Sequence, residues 1–256
     1  MASKLFIVTG ASRGLGAAMA EQLLLPGNLL LCISRHVNDE LAAKAAAAGA
    51  QLEQWPRDLA DPLPVAAQLE QWVRARATTP FDDATLINNA GAIGRVGPLD
   101  EAADHELSQA LRVGLEAALL LSAAFLRATR GWPARRKVLN ISSGLGRHAM
   151  AGSALYCAAK AGMDHFSRAV ALDEAHRGSG ARIVSLAPGV IDTEMQTQLR
   201  ASQASGFPDQ SQFVAMKTQG QLATPQAAAA RVLAYLQRAD FGSKPVADVR
   251  DPAEQA

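Results

Sequence analysis

Five short stretches of the chain are apolar at nearly every position: KLFIVT (4–9), LLLCIS (29–34), ATLINN (84–89), KVLNIS (137–142) and ARIVSLA (181–187). A strand with one wet side alternates apolar and polar residues. A strand without alternation is buried on both faces, the condition of a parallel sheet covered by helices on each side. Helical patterns fill the intervals. GLGAAMAEQLLL (14–25) stops at Pro26-Gly27, and NDELAAKAAAAG (38–49) opens on a capping Asn38 and ends at Gly49. Further helical patterns cover 61–76, 103–130, 153–177 and 225–238, and QLEQWP (51–56) and KPVADV (244–249) are weaker strands. This alternation predicts an α/β fold built on a doubly wound parallel sheet with helices on both faces. No linker or repeat divides it, so the reading is a single domain over 1–256. The exception is 190–222, rich in Gln, Ser and Thr with Gly206, Pro208 and Gly220, which is expected to be a flexible substrate lid over the sheet's edge.

The first strand runs directly into TGASRGLG (9–16), which opens the first helix. Gly10, Gly14 and Gly16 permit a tight turn and close backbone approach. With Ser12, Arg13 and Leu15 they place a helix N-terminus, and its free N–H groups, where a pyrophosphate would sit. The spacing is Gly-x-x-x-Gly-x-Gly, not the more usual Gly-x-Gly-x-x-Gly, and an ordinary glycine-rich turn is the competing reading. Its place between a buried strand and a helix favours a dinucleotide site in a Rossmann-like sheet. Ser34 and Arg35 stand at the end of the second strand, where an NAD enzyme would carry an acid for the ribose 2′-hydroxyl. An arginine there suits a 2′-phosphate, with Arg13 as the other half of a clamp, so the expected cofactor is NADP(H).

Composition removes several classes of function. Net charge is +1 and no run of like charge stands out, which argues against a nucleic-acid or membrane surface as partner. Cys32 and Cys157 are the only cysteines and lie far apart in apolar surroundings, so no disulfide framework, zinc site or other metal is expected. The start, MASKLFIVTG, lacks the longer apolar stretch and cleavage site of a signal peptide. AALLLSAAFL (117–126) is too short to span a bilayer. The expectation is a soluble, cytoplasmic protein.

With the glycine loop, INNAG (87–91), NISS (140–143), Tyr156 and Lys160 in this order, the chain resembles the short-chain dehydrogenase/reductase family over nearly its whole length. Ser143 precedes Tyr156 by 13 residues, as the family pattern requires. The chemistry accounts for these residue types. Reducing a carbonyl needs a hydride on carbon and a proton on oxygen, and a tyrosine with a pKa near ~10 is a poor acid–base at neutral pH. Positions four apart share a helix face, so Lys160 can set its ammonium beside Tyr156 and lower the phenol's pKa. Ser143 would donate to the carbonyl oxygen as charge develops on it. The resemblance further implies that Lys160 holds the nicotinamide ribose and that Asp58 and Leu59 flank the adenine. It implies too that Asn89, Ala90 and Gly91 line the central crevice, and that Pro188, Gly189, Ile191 and Thr193 meet the carboxamide. One departure stands out. The family's usual asparagine in the helix after INNAG is here Gly114, within RVGLEA (112–117). Mid-helix glycine costs about 1 kcal/mol against alanine. Either it preserves a helix distortion while water replaces the amide, or the proton relay is impaired.

The C-terminal third, with PGVIDTEMQTQLR (188–200) and RADFGSKPVADVRD (238–251), resembles the sepiapterin reductase branch of the family, relatives of which reduce benzil. By that resemblance Asp248 reaches into the pocket to grip substrate, although DVR (248–250) departs from the branch's ending and a solvated acid on an edge strand is the alternative. The expected substrate is a small-molecule carbonyl, one ketone of a vicinal dicarbonyl that is sepiapterin- or benzil-like. A 3-oxoacyl thioester, a sugar, or cofactor sensing with little catalysis are the alternatives; a thioester would want a basic docking patch, and 190–222 offers none. Resemblance also implies a homodimer or homotetramer paired through helices 103–130 and 153–177.

Overall fold

The computed structural model describes residues 3–177 and 180–254. Its strands are β1 (Lys4–Thr9), β2 (Asn28–Ser34), β3 (Gln51–Pro56), β4 (Asp83–Asn88), β5 (Arg135–Ile141), β6 (Arg182–Ala187) and β7 (Val246–Asp248). They form one seven-stranded sheet in the order β3-β2-β1-β4-β5-β6-β7, parallel at every pairing. The helices are α1 (Gly14–Gln22), α2 (Asp39–Ala48), α3 (Pro62–Arg74), α4 (Asp104–Leu111), α5 (Ala117–Ala128), α6 (Ala154–Ala175), α7 (Glu194–Ala201), α8 (Gln210–Thr218) and α9 (Pro225–Leu236).

The continuous apolar runs divide as a doubly covered sheet requires. Phe6, Val8, Leu30 and Cys32 point to one face, where Met19 of α1, Leu41 of α2 and Val232 of α9 meet them. Their immediate neighbours Leu5, Ile7, Leu31 and Ile33 point to the other, against Leu69 of α3 and Leu121 and Phe125 of α5. Each fully buried aliphatic side chain contributes about 1.5–3 kcal/mol. β3 is half-buried or exposed along its length because it is the outer strand, which explains its polar sequence. β7 is shorter than the 244–249 expected: only Val246–Asp248 pair with β6, and Pro245 contributes a carbonyl but has no N–H to give.

The run 117–126 lies inside a continuous helix, Asp104–Ala128, which by length and composition is long and apolar enough to cross a bilayer, with half of that stretch buried inside the fold. Leu121, Ala124 and Phe125 turn inward onto the sheet and α3. The stretch 190–222 is likewise more regular than expected, since it holds α7 and α8. Phe207, between them, is fully buried with Ile93 and Leu199 and lies 5.4 Å from the Phe213 ring. These few apolar anchors among Gln and Ser carry the helical pair.

From β1 the chain winds outward through β2 to β3 and then returns to the opposite side of β1 with β4. The connections leaving β1 and β4 therefore diverge, opening a crevice beyond the carboxyl ends of the strands, where α/β sheets bind ligands.

Candidate active site

The glycine loop spans the floor of that crevice. Gly10 takes φ 68° and Gly14 φ 57°, left-handed values that glycine adopts without steric cost. Gly10 N–H donates to Ile33 O at 2.8 Å, tying the loop to β2. Asn89 stitches it to β4: its side-chain amide donates to Thr9 O (3.0 Å) and Gly10 O (3.3 Å), while Thr9 Oγ1 accepts from the Asn89 and Ala90 N–H groups. A Cβ on Gly16 would lie 2.2 Å from Gly10 O, so the helix–strand approach is close enough to admit only glycine. Arg13, at the N-cap of α1, makes no side-chain capping bond, which leaves the first-turn N–H groups directed at the cleft.

Every residue expected to bind cofactor or substrate or to carry the chemistry lines one cleft of about 1350 Å³, and Gly114 does not. The loop residues Gly10, Ser12, Arg13, Gly14, Leu15 and Gly16, with Ser34, Arg35, Asp58, Leu59, Asn89, Ala90 and Gly91, form its sheet side. Ser143, Tyr156, Lys160, Pro188, Gly189, Ile191, Thr193 and Asp248 form the remainder. Two details differ from the clamp expected around a 2′-phosphate. Arg13 is ion-paired with Glu194 at the start of α7. Arg57, which the sequence reading passed over, lines the cleft with exposed Arg35, its N–H bonded to Ser34 O.

Tyr156 and Lys160 lie one turn apart on α6, and Ser143 follows the end of β5. Lys160 is 4% exposed; its Nζ donates to Ile141 O at 2.7 Å and lies 5.5 Å from the centroid of the Tyr156 ring. Burial pushes Lys160 down to about 8, opposed by the charge of Asp164. Burial pushes the Tyr156 phenol up to about 12, opposed by its hydrogen bond with Ser143. The Lys160 ammonium donates to a carbonyl and stands over the ring, and burial is the largest influence on the phenol. The upward shift favours the neutral form of the phenol.

Gly114 is buried in a π-helical turn, Arg112–Glu116, between α4 and α5. This π turn is a helix distortion, the feature on which one of the two readings of Gly114 rests. A Cβ on Gly114 would stand 3.2 Å from the Cβ of Ala159, next to Lys160, so the glycine lets this turn press on the catalytic helix. Asp248 reaches the cleft, but its carboxylate accepts the Arg250 N–H at 2.9 Å and both Nε and Nη2 at 2.7 Å. The guanidinium holds Asp248 below the usual carboxylate range.

A family model described as short chain dehydrogenase matches residues 4–204. Benzil reductase ((S)-benzoin forming) of Bacillus cereus is 32% identical over 235 residues, 92% of this chain and 94% of its own length. Sepiapterin reductase of Rattus norvegicus is 32% identical over 258 residues, 96% of this chain and 95% of its own. An Agrobacterium tumefaciens structure with bound NADP superposes with a TM-score of 0.78 at 26% identity, covering 97% of this chain and 95% of that one.

Proposed function

Since the chain belongs to the short-chain dehydrogenase family, we propose that it is an NADPH-dependent carbonyl reductase acting on one ketone of a vicinal dicarbonyl. The observation that carries this reading is that Ser143, Tyr156 and Lys160 share a single cleft with the glycine loop. The loop fits a dinucleotide on its own geometry: α1 presents uncapped N–H groups, Gly10 and Gly14 hold left-handed turns, and the Gly189 Cβ position has no atom within 4 Å. When bound, the nicotinamide supplies the hydride that goes to the carbonyl carbon.

Tyr156 gives its hydroxyl proton to the carbonyl oxygen, and Ser143 donates a hydrogen bond to the same oxygen as charge gathers there. Lys160 keeps a positive charge beside the reacting phenol, which opposes desolvation as the phenolate forms. The wall next to Tyr156 consists of Ile93, Met150, Leu199 and Phe213, an apolar surface that suits an aryl ketone. Benzil, the substrate in the name of the Bacillus cereus relative, is such a diketone. Absorbance of reduced nicotinamide, followed with benzil, sepiapterin and a simple aryl ketone in parallel, tests the reading. Faster turnover of benzil than of the simple ketone is expected; no oxidation of NADPH or NADH with any of them would overturn it.

NADPH over NADH follows from the absence of an acid at the end of β2 and from Arg35 and Arg57 beside it. A charge-assisted hydrogen bond is worth about 1.5–3 kcal/mol. Arg35→Asp is therefore expected to lower the NADPH-to-NADH ratio of kcat/KM by roughly 10- to 100-fold. An unchanged ratio would show that Arg35 does not meet the 2′-phosphate.

A further inference from the structure

Asp164 lies one turn beyond Lys160 and two beyond Tyr156 on the same face of α6, and it is 1% exposed. A carboxylate is costly to bury, and nothing in the reaction above gives this one a task. Its Oδ1 accepts hydrogen bonds from Ser142 Oγ at 2.6 Å and Ser185 Oγ at 2.7 Å. Its Oδ2 is buried and has no hydrogen bond among the described residues, while Arg147 Nε stands 3.6 Å away, beyond hydrogen-bond length. The turn Gly144–Gly146 closes over that oxygen so tightly that a Cβ on Gly146 would lie 2.7 Å from Oδ2 and 2.9 Å from Lys160 O. Asp164 thus connects β5, β6, α6 and the turn that follows Ser143.

We propose that Asp164 is a positioning residue of the reductase site, which keeps the Lys160 ammonium charged in its dry pocket and fixes the strand end that presents Ser143. The inference rests on the roles given to Lys160 and Ser143 above. Residues four apart on a helix have Cβ atoms about 5–6 Å apart, within range of a strong field in a poorly solvated site. The direction agrees, since Asp164 is what opposes the burial that pushes Lys160 down. Other ionisable groups around Lys160 are Tyr156 on its own helix, Arg147 from the turn, Glu106 of α4 on the cleft wall, and the Asp248–Arg250 pair at the end of β7. Cys157 stands beside Tyr156 on α6, and Arg112 and Glu116 of the π-helical turn are exposed. The chain after β5 and strand β6 bring Ser142, Ser143 and Ser185 toward Asp164 and Lys160.

Charge and packing are separated by the pH profile. Asp164→Asn keeps the shape and an acceptor for the serines but removes the charge. The alkaline fall of kcat/KM is expected to move about one pH unit toward acid in this variant. In Arg147→Gln the competing cation goes, and the fall is expected to move roughly a few tenths of a unit toward alkali. Ser142→Ala removes a hydrogen bond and leaves the charge, so it is expected to lower Tm while the profile stays in place. Heteronuclear NMR titration of the Lys160 ammonium in cofactor-free protein should show the same two shifts. Coincident titrations of Lys160 in Asp164→Asn and the unaltered protein would overturn the proposal, whatever happens to Tm. Should Asp164→Asn fail to fold, the Arg147→Gln shift decides, since Arg147 reaches in from an exposed position. Absence of carbonyl reduction in the unaltered protein would strike the reductase reading alone, because the NMR titration tests Asp164 without turnover.

Discussion

Tyr156→Phe is expected to lower kcat/KM for carbonyl reduction by about 10²–10⁴-fold, the usual worth of a positioned proton donor. Tm and the Kd for reduced cofactor should stay close to those of the unaltered protein. The substitution removes one oxygen and leaves the ring where it packs against Ile93, Leu199 and Phe207. The Lys160 ammonium, 5.5 Å from the ring centroid, keeps its cation–π contact with a phenylalanine. What the fold loses is the hydrogen bond with Ser143, about 0.5–1.5 kcal/mol. At this chain length that is a shift of only a few degrees, about 2–4 °C per kcal/mol.

The pH profile adds a second check on the same variant. With the phenol pushed up to about 12, Tyr156 stays protonated across the working range and cannot set an alkaline limb near neutrality. Lys160, pushed down to about 8, loses its charge as pH rises through that value, so activity should fall there. Residual activity of Tyr156→Phe should therefore retain the limb near 8. A loss below tenfold would mean that the proton is delivered from another group, and a limb that disappears with the hydroxyl would mean that Tyr156 rather than Lys160 sets it.

Tyr156 and Lys160 were legible in the sequence by their spacing of four on α6, and most other cleft residues because they sit where strands end. Thr9, Ser34, Asn88, Ile141 and Ala187 close buried strands, and the apolar runs expose those boundaries directly. The residues that follow them must meet in the crevice once the sheet is parallel. Contacts made by side chains far apart in the chain had no such signal. Arg13 and Glu194 are separated by 181 positions, and only the docking of α7 over the glycine loop makes them partners. That contact diverts one of the two arginines expected to clamp a phosphate. The helices inside 190–222 were hidden by polar composition, since a few apolar side chains, Met195, Leu199, Phe207 and Phe213, supply their packing. Asp164 is a different case. It stands four residues after Lys160, at the spacing that identified Tyr156 with Lys160, and the same rule extended one turn would have found it. It reads as a surface acid in sequence because a buried carboxylate is costly enough to be an uncommon expectation.

Gly16→Ala is expected to weaken the Kd for reduced cofactor by at least about 100-fold, or ~2.7 kcal/mol, and to lower Tm as well. The added methyl would sit 2.2 Å from Gly10 O and 2.5 Å from Asn89 Nδ2, distances that no rotamer change relieves because the first is backbone. The loop must move, and it is held on both sides: by Gly10 N–H on Ile33 O and by the Asn89 amide on Thr9 O and Gly10 O. Overpacking of this kind costs about 1–3 kcal/mol, hence about 2–12 °C in Tm at 2–4 °C per kcal/mol. Gly114→Ala offers a graded contrast. Its methyl would meet a side-chain carbon, Ala159 Cβ, at 3.2 Å, where a shift of a few tenths of an ångström relieves the contact. Roughly 1 kcal/mol of helix propensity offsets that shift, so its Tm should change little. The difference between the two variants isolates what close backbone approach contributes at the loop. If Gly16→Ala bound reduced cofactor with an unaltered Kd, the pyrophosphate would have to lie away from the start of α1, and the cleft would owe its cofactor affinity to the walls built by β4 and β6.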